Sequence, residues 1–263
     1  MATEQISWER VADGGPPSWY LDPEVANQKR REHLALIRRW TPLHDARSIL
    51  KTDLFEEAYG NDHLLFDLEP CFAQAFGIDI ASSTVARARS RSADPRFSFA
   101  VSDVRNLAFR TGAFDLVVSN STLDHFDDAE ELRSSIAELG RVLRPGGVLI
   151  VTLDNPRNPL YPILRWAANH GWAPFTLGHT FNVDELNASL HECGLEVTAN
   201  DYLIHNPRVI STAIFVALRR ILGRYASLPI RVFLGGFALL GRLPTRGYTA
   251  CFIAACARKR STP

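Results

Sequence analysis

The amino-acid sequence predicts a doubly wound α/β fold built around a mostly parallel sheet of seven strands. From Ser48 onward, short apolar runs alternate with stretches whose apolar residues recur at helical spacing. Strands that are apolar nearly throughout and are separated by helical segments are typical of a parallel sheet with right-handed crossovers. The predicted strands are residues 48–52, 76–80, 97–101, 114–119, 148–152, 195–198 and 249–257.

Two segments add to this sheet. Residues 1–44 are predicted to form an N-terminal helical appendage, in which Asp22 caps a helix, Pro23 takes its first position and the helix ends near Trp40. Residues 45–263 then form the main domain. Within it, the apolar stretch at about 205–245 is predicted to be a helical cap inserted before the last strand.

Composition narrows the class of protein. A hydrophobic share of 46% predicts a globular chain with a sizeable core, and the balance of 29 basic against 29 acidic residues argues against nucleic acid as a partner. The four cysteines form no C-x-x-C pair, so we expect buried free thiols and no metal site; they are Cys71, Cys193, Cys251 and Cys256. Residues 1–10 are polar and unlike a secretory signal, which predicts a cytoplasmic location.

The most specific pattern spans the third, fourth and fifth predicted strands. Asp103 follows the third strand, the runs NLAF (106–109) and GAFDLVV (112–118) come next, and LGRVLRPGGVLI fills 139–150. In order and spacing, these runs resemble the class I S-adenosylmethionine-dependent methyltransferases over about residues 49–152. The resemblance implies a Rossmann-like methyltransferase fold with an antiparallel last strand, and S-adenosylmethionine as the cofactor.

The resemblance also assigns cofactor-binding positions, mostly at strand ends. Asp79 corresponds to the acid that accepts hydrogen bonds from both ribose hydroxyls, although it could instead cap the next helix. Asp103 corresponds to the acid beside the adenine amino group, or it is an ordinary turn residue. The implied contacts of these strand ends are Asp79, Ile80, Asp103, Val104, Asn120 and Ser121.

The first strand departs from the family pattern. Where the family has an acid and then a G-x-G-x-G turn, residues 51–60 read KTDLFEEAYG and contain one glycine. Asp53 is the first candidate to meet the ammonium group of the cofactor and Glu57 the second, and Gly60 could supply a tight turn. The alternative is that this loop has closed and that no cofactor binds.

Methyl transfer requires mainly alignment and the exclusion of water, and a base only when the acceptor is protonated. His125 lies where many small-molecule methyltransferases have a histidine after the fourth strand. It either deprotonates the acceptor or positions neighbouring groups. Asn155 follows the fifth strand and either binds the acceptor or forms part of a proline-rich turn.

The arginine-dotted apolar stretch at 209–243 admits three interpretations. It caps an apolar substrate, it lies on a membrane surface with its arginines at the headgroups, or it packs as ordinary core. Its uninterrupted apolar runs are too short to span a bilayer.

The leading hypothesis is therefore methyl transfer from S-adenosylmethionine to an O, N or C atom of a small, mainly apolar molecule. A non-catalytic binding or assembly module that retains the fold is the alternative. A nicotinamide-dependent enzyme is disfavoured, because no G-x-G-x-x-G run opens the sheet.

Overall fold

A computed structural model describes residues 8–9, 12–14, 22–41, 47–60, 63–68, 72–173 and 175–260; Cys71, counted above among the thiols, lies outside these ranges. The seven strands form one sheet in the order β3-β2-β1-β4-β5-β7-β6, in which β7 runs antiparallel to both β5 and β6. The predicted fold class is confirmed. The strands are β1 Ser48–Thr52, β2 Gln74–Asp79, β3 Phe97–Val101, β4 Phe114–Asn120, β5 Leu143–Asp154, β6 Leu195–Leu203 and β7 Phe252–Lys259.

The predicted bounds match the structure in some strands and differ in others. The bounds of β1 and β3 agree with the sequence, whereas β5 begins earlier and β6 ends later than predicted. In β6 the side chains alternate between more and less buried along much of the strand, so its polar residues face outward and break the apolar run on which the prediction rested. The RPGG run at 144–147 lies within β5, beside an irregularity in its pairing with β4.

Helices cover both faces of the sheet. The α-helices are α1 Pro23–Trp40, α2 Phe55–Tyr59, α3 Leu64–Asp67, α4 Ser82–Ser90, α5 Ala129–Val142, α6 Tyr161–Ala167, α7 Val183–Glu192, α8 Arg208–Leu222, α9 Ser227–Ala238 and α10 Arg246–Thr249. As predicted, Asp22 accepts a hydrogen bond from the Glu24 N–H, and Pro23 starts α1. None of the described helices combines the length and the apolar character needed to cross a bilayer.

The core consists of two layers, one on each face of the sheet. One layer contains buried residues of α1, α3 and α4, including Leu36, Leu65 and Val85. The other contains those of α5 and α7, including Ile136 and Leu190. Because α1 contributes to the first layer, the segment predicted as an appendage shares the core of the sheet.

The region between β6 and β7 forms a helical hairpin of α8 and α9. Phe215 of α8 packs with Ile230 and Leu234 of α9 in a small apolar cluster of their own. Arg219 of α8 donates to Asp22 at 2.8 Å, which ties the hairpin to the start of α1.

A buried ion pair holds the loop after β1. Lys51 and Glu57 are 1% and 0% exposed, and the Lys51 Nζ donates to Glu57 Oε2 at 2.9 Å. The other carboxylate oxygen of Glu57 accepts from the Leu65 N–H at 2.9 Å. Burial raises the pKa of Glu57, and the charge of Lys51 opposes that shift. This pair holds the glycine-poor loop in place.

Removing one member of this pair is expected to destabilise the fold strongly. Glu57→Ala removes the negative charge that balances the buried Lys51 ammonium, so urea denaturation should show a loss of about 3–5 kcal/mol in the free energy of unfolding. The double variant Lys51→Met with Glu57→Leu removes both charges and should recover most of that loss. A loss below about 1 kcal/mol for Glu57→Ala, typical of an exposed pair, would contradict this role.

Candidate active site

One cavity of about 890 Å³ lies at the carboxyl ends of the parallel strands. It contacts residues at or just after the ends of β1, β2, β3, β4 and β5, in addition to α1, α6 and α8. Of the residues predicted from the sequence, those that line it are Asp53, Asp79, Ile80, Asp103, Val104, Ser121 and His125.

Asp79 ends β2 and is held by the loop after β1. Its Oδ2 accepts from the Leu54 N–H and its Oδ1 from the Ala81 N–H, both at 2.9 Å. Each carboxylate oxygen keeps a further lone pair, so both can accept another hydrogen bond from a ligand. Burial raises the pKa of Asp79 to about 7, and the neighbouring negative charge of Asp53 adds to the shift.

Asp53 stands directly after β1 with φ at 65°, in the left-handed region that favours glycine. Its Oδ1 accepts from the Phe55 N–H at 2.7 Å, which starts α2. Aspartate tolerates this conformation better than most residues because its short side chain bonds locally. Glu57, the second candidate carboxylate, is fully buried against Lys51 and does not line the cavity.

Asp103 lies in the loop after β3 and is already paired. Arg105 donates to both of its carboxylate oxygens, through Nε at 3.0 Å and Nη2 at 2.7 Å. Although burial raises the pKa of Asp103, the hydrogen bonds and charge of Arg105 lower it below the ordinary value. Any ligand that bonds to Asp103 therefore meets an ionised carboxylate whose orientation Arg105 fixes.

Two consecutive residues at the end of β4 differ in their orientation. Ser121 has φ at 51° and lines the cavity, and its Oγ is buried without a hydrogen-bond partner among the described residues. Asn120 is buried but does not line the cavity. A buried hydroxyl without a partner is costly, so the position of Ser121 indicates a ligand or an ordered water beside it.

Two further predicted site residues, Gly60 and Asn155, also do not line this cavity. Gly60 ends α2 in an extended conformation, with φ at −88° and ψ at −175°, so it forms no tight turn toward a ligand. Asn155 donates through Nδ2 to the Gly247 and Ala250 carbonyls at 2.8 and 3.0 Å. These bonds tie the end of β5 to the segment before β7. The Asn155 amide group that was expected to bind an acceptor is therefore already engaged with the backbone.

A polar cluster that the sequence analysis did not identify also lines this cavity. Asp124, Asp154 and Arg208 all line it; Arg208 forms an ion pair with Asp154, and the Asp154 N–H donates to Asp124 Oδ2 at 2.9 Å. Burial raises the pKa of Asp154 to about 6, opposed by Arg208 and increased by Asp124. Within the described part of the chain, Asp124 Oδ1 and Arg208 Nε are buried without partners.

His125 is fixed by a close backbone contact. Its Nδ1 lies 2.7 Å from the Thr176 carbonyl, so Nδ1 carries the proton in the neutral ring and Nε2 keeps a lone pair. Thr176 is held in place because Gly178 packs directly on Phe126, where an added Cβ would lie 2.0 Å from the carbonyl oxygen. Trp8 covers the histidine, with ring centroids 4.9 Å apart.

The remaining wall is apolar. Helix α6 and the turn after it contribute side chains such as Leu164, Trp172 and Phe175, and α8 contributes others, such as Phe215 and Val216. The lining of the cavity thus combines carboxylates at strand ends, a polar cluster and many apolar side chains.

Known proteins resemble this chain in sequence and in fold. A family profile described as "Methyltransferase domain" matches residues 57–151. An uncharacterized methyltransferase of Mycobacterium bovis is 33% identical over 94 residues, which are 35% of this chain and 46% of that protein, so the match spans under half of that relative. A phthiotriol/phenolphthiotriol dimycocerosates methyltransferase 1 of Mycobacterium ulcerans is 26% identical over 96% of this chain and 85% of its own length.

Residues 57–151 are therefore similar to a methyltransferase domain, and the relatives and structural neighbours support a class I S-adenosylmethionine-dependent methyltransferase. Among solved structures, phosphoethanolamine N-methyltransferase 2 of Haemonchus contortus, in complex with S-adenosyl-L-methionine, aligns with a TM-score of 0.61. It is 16% identical and covers 88% of this chain and 53% of that chain, which shows a shared fold.

The cavity fits S-adenosylmethionine, the cofactor of this family. Asp79 offers carboxylate lone pairs for a diol, Ser121 offers a buried hydroxyl without a partner, and Asp53 offers a negative charge for an ammonium group. The volume lies within the range usual for small-molecule sites. The loop at 51–60 therefore borders the cofactor cavity and does not close it.

The raised pKa of Asp79 predicts a pH-dependent affinity for S-adenosylhomocysteine. Hydroxyl groups donate to the ionised carboxylate, so affinity should rise about tenfold between pH 6 and pH 8 as a group with a pKa of about 7 loses its proton. Isothermal titration calorimetry across this range would measure the change.

Asp79→Asn should bind weakly and lose this dependence. Glu196→Gln, which neutralises an exposed carboxylate on β6, should retain it. An affinity for the wild-type protein that is flat or that falls between pH 6 and pH 8 would show that Asp79 does not act as a carboxylate acceptor.

Proposed function

We propose that this chain transfers a methyl group from S-adenosylmethionine to an O, N or C atom of a small, mainly apolar molecule. The observation that supports this proposal is the single cavity in which strand-end carboxylates and a long apolar wall meet. One end suits a polar nucleoside, and the other suits an acceptor with little polarity of its own.

At the cofactor end, the proposed contacts follow the strand ends. Asp79 accepts hydrogen bonds from the ribose, with Ile80 beside it, and Asp53 meets the ammonium group. Asp103 and the backbone of Val104 lie at the adenine. The support for this orientation is that all five residues line one cavity, in the strand order that the family topology requires.

The bound cofactor supplies a methyl group that its positive sulfonium already activates. The chain has to hold the acceptor in line with that group and exclude water. The apolar side chains of α6 and α8 do both, because they give an acceptor a dry surface of fixed shape.

For a hydroxyl acceptor, the buried polar cluster supplies the proton chemistry. The free Oδ1 of Asp124 can accept the hydrogen bond of the hydroxyl and so orient it. Asp154, whose pKa of about 6 makes it a stronger base than an ordinary carboxylate, can take the proton while still being mostly ionised at neutral pH. His125 remains the alternative base, through Nε2.

The comparison with the Mycobacterium ulcerans relative supports an acceptor related to those in its name, since similarity extends over 85% of that protein. The acceptor-side wall and hairpin lie outside the region matched by the family profile, residues 57–151. Specificity is therefore expected to reside in α6, α8 and the polar cluster.

Transfer of a labelled methyl group tests the proposal. Purified protein, S-adenosylmethionine with a tritiated methyl group, and an organic-solvent extract of the organism that encodes the chain should give label in the organic phase. Asp79→Ala should abolish the signal because it removes cofactor binding, whereas Glu196→Gln should not.

Asp154→Asn separates binding from chemistry. It should leave the affinity for S-adenosylhomocysteine within a few-fold of wild type and lower transfer by at least about 100-fold, the range for a lost general base. No labelling by the wild type above a control without protein, or no cofactor binding at millimolar concentration, would favour the non-catalytic alternative.

A further inference from the structure

The hairpin of α8 and α9 exposes large apolar side chains where its two helices meet. This hairpin tip comprises residues 220–228, and within it Ile221, Tyr225 and Leu228 are 79%, 69% and 64% exposed. Clustered exposed side chains of this size mark an interaction surface more often than a solvated one.

The exposed apolar surface continues along α9. Val232 of α9 and Leu239, the first residue after α9, are 67% and 55% exposed and lie four and eleven residues after Leu228. Residues at this spacing lie on one face of a helix, so α9 presents an apolar stripe to the outside. Its opposite face packs on α8 through Ile230 and Leu234.

The charge around the tip is of one sign. Residues 202–260 contain no aspartate or glutamate. Four arginines of this segment pair with carboxylates that lie outside it, namely Arg208, Arg219, Arg231 and Arg246. Arg220 and Arg224 of the tip are exposed and form no ion pair with any residue that the structure describes. The tip therefore combines apolar side chains with uncompensated positive charge.

The tip adjoins the active-site cavity. Arg220 and Ile221 line that cavity, as does Trp172, which is 66% exposed. Asp79 lines the same cavity. An apolar molecule entering beside the tip therefore has a continuous path to the strand ends.

We infer that the hairpin tip docks on the surface of a bilayer containing anionic phospholipid, and that the methyl acceptor enters the cavity from that bilayer. The second half of this inference rests on the proposed function; the docking itself does not. The two uses considered for residues 209–243, a substrate cap and a membrane contact, then belong to different faces of the same hairpin.

A bilayer fits this surface better than a second protein does. An amphipathic helix lies in the interface with apolar side chains among the acyl chains and arginines at the phosphates, and Trp and Tyr favour the same depth. Each arginine near an anionic surface strengthens binding about fivefold, an effect that salt screens.

Vesicle sedimentation with the full chain tests the docking. The protein should sediment with vesicles of phosphatidylcholine and phosphatidylglycerol, much less with phosphatidylcholine alone, and less again as salt rises. Arg220→Gln with Arg224→Gln should weaken binding roughly 25-fold, from about fivefold per arginine. Tyr225→Ser with Leu228→Ser should also lose binding, because it removes the apolar anchor.

Matched controls separate the tip from general charge and from misfolding. Arg110→Gln with Arg133→Gln removes the same charge from exposed positions outside the hairpin and should bind vesicles like wild type. Thermal unfolding should show that every variant is folded.

Three results would overturn the inference. These are equal binding to both kinds of vesicle, wild-type binding by both tip variants, or absence of vesicle binding together with a dimer that the tip variants convert to a monomer. The last result would assign the tip to a second copy of the chain. Retained affinity for S-adenosylhomocysteine in any of these cases would leave the proposed function standing.

Discussion

The geometry of the site depends on the buried ion pair between Lys51 and Glu57. Because Glu57 also accepts from the backbone of Leu65, the pair fixes both ends of the loop that follows β1. That loop presents the Leu54 N–H to Asp79 and places Asp53 at the cavity. The family resemblance implies a glycine-rich turn at this point; this chain instead holds a defined loop with a desolvated pair of charges.

The cavity concentrates negative charge in an apolar setting. Asp79 and Asp154 both have raised pKa values, about 7 and 6, so their ionised forms are disfavoured in the folded, unliganded protein. Their contribution to stability is full below pH 4 and is lost as pH rises through those values. A positively charged ligand reverses this cost, and binding to the folded state alone stabilises it further.

The sequence was sufficient to predict the ends of the five parallel strands to within two residues, because apolar runs in a parallel sheet are nearly uninterrupted. The family resemblance assigned Asp79, Asp103 and Ser121 near those ends, and all three line the cavity. Asn155 follows the same rule, yet its side chain turns to the segment before β7, since strand position alone does not fix the direction of a side chain beyond the strand end.

Two other features are hard to recognise in the sequence. A lysine within a short strand is ordinarily expected to be exposed to solvent. The structure shows that Lys51 is buried, because it pairs with the Glu57 carboxylate of α2. Arg208 lies 54 residues from Asp154, so no local sequence pattern indicates that the two residues pair. Asp154 itself could have been predicted as a site residue, because it ends a central strand at the same edge of the sheet as Asp79.

The left-handed backbone at Asp53 ties the shape of the loop to its charge. A glycine there would relax the main chain, yet it would delete the carboxylate that helps raise the pKa of Asp79. This one substitution would therefore remove a backbone cost and change the electrostatic character of the cavity. Because one side chain carries both the backbone cost and the negative charge, a change to glycine alters the two together.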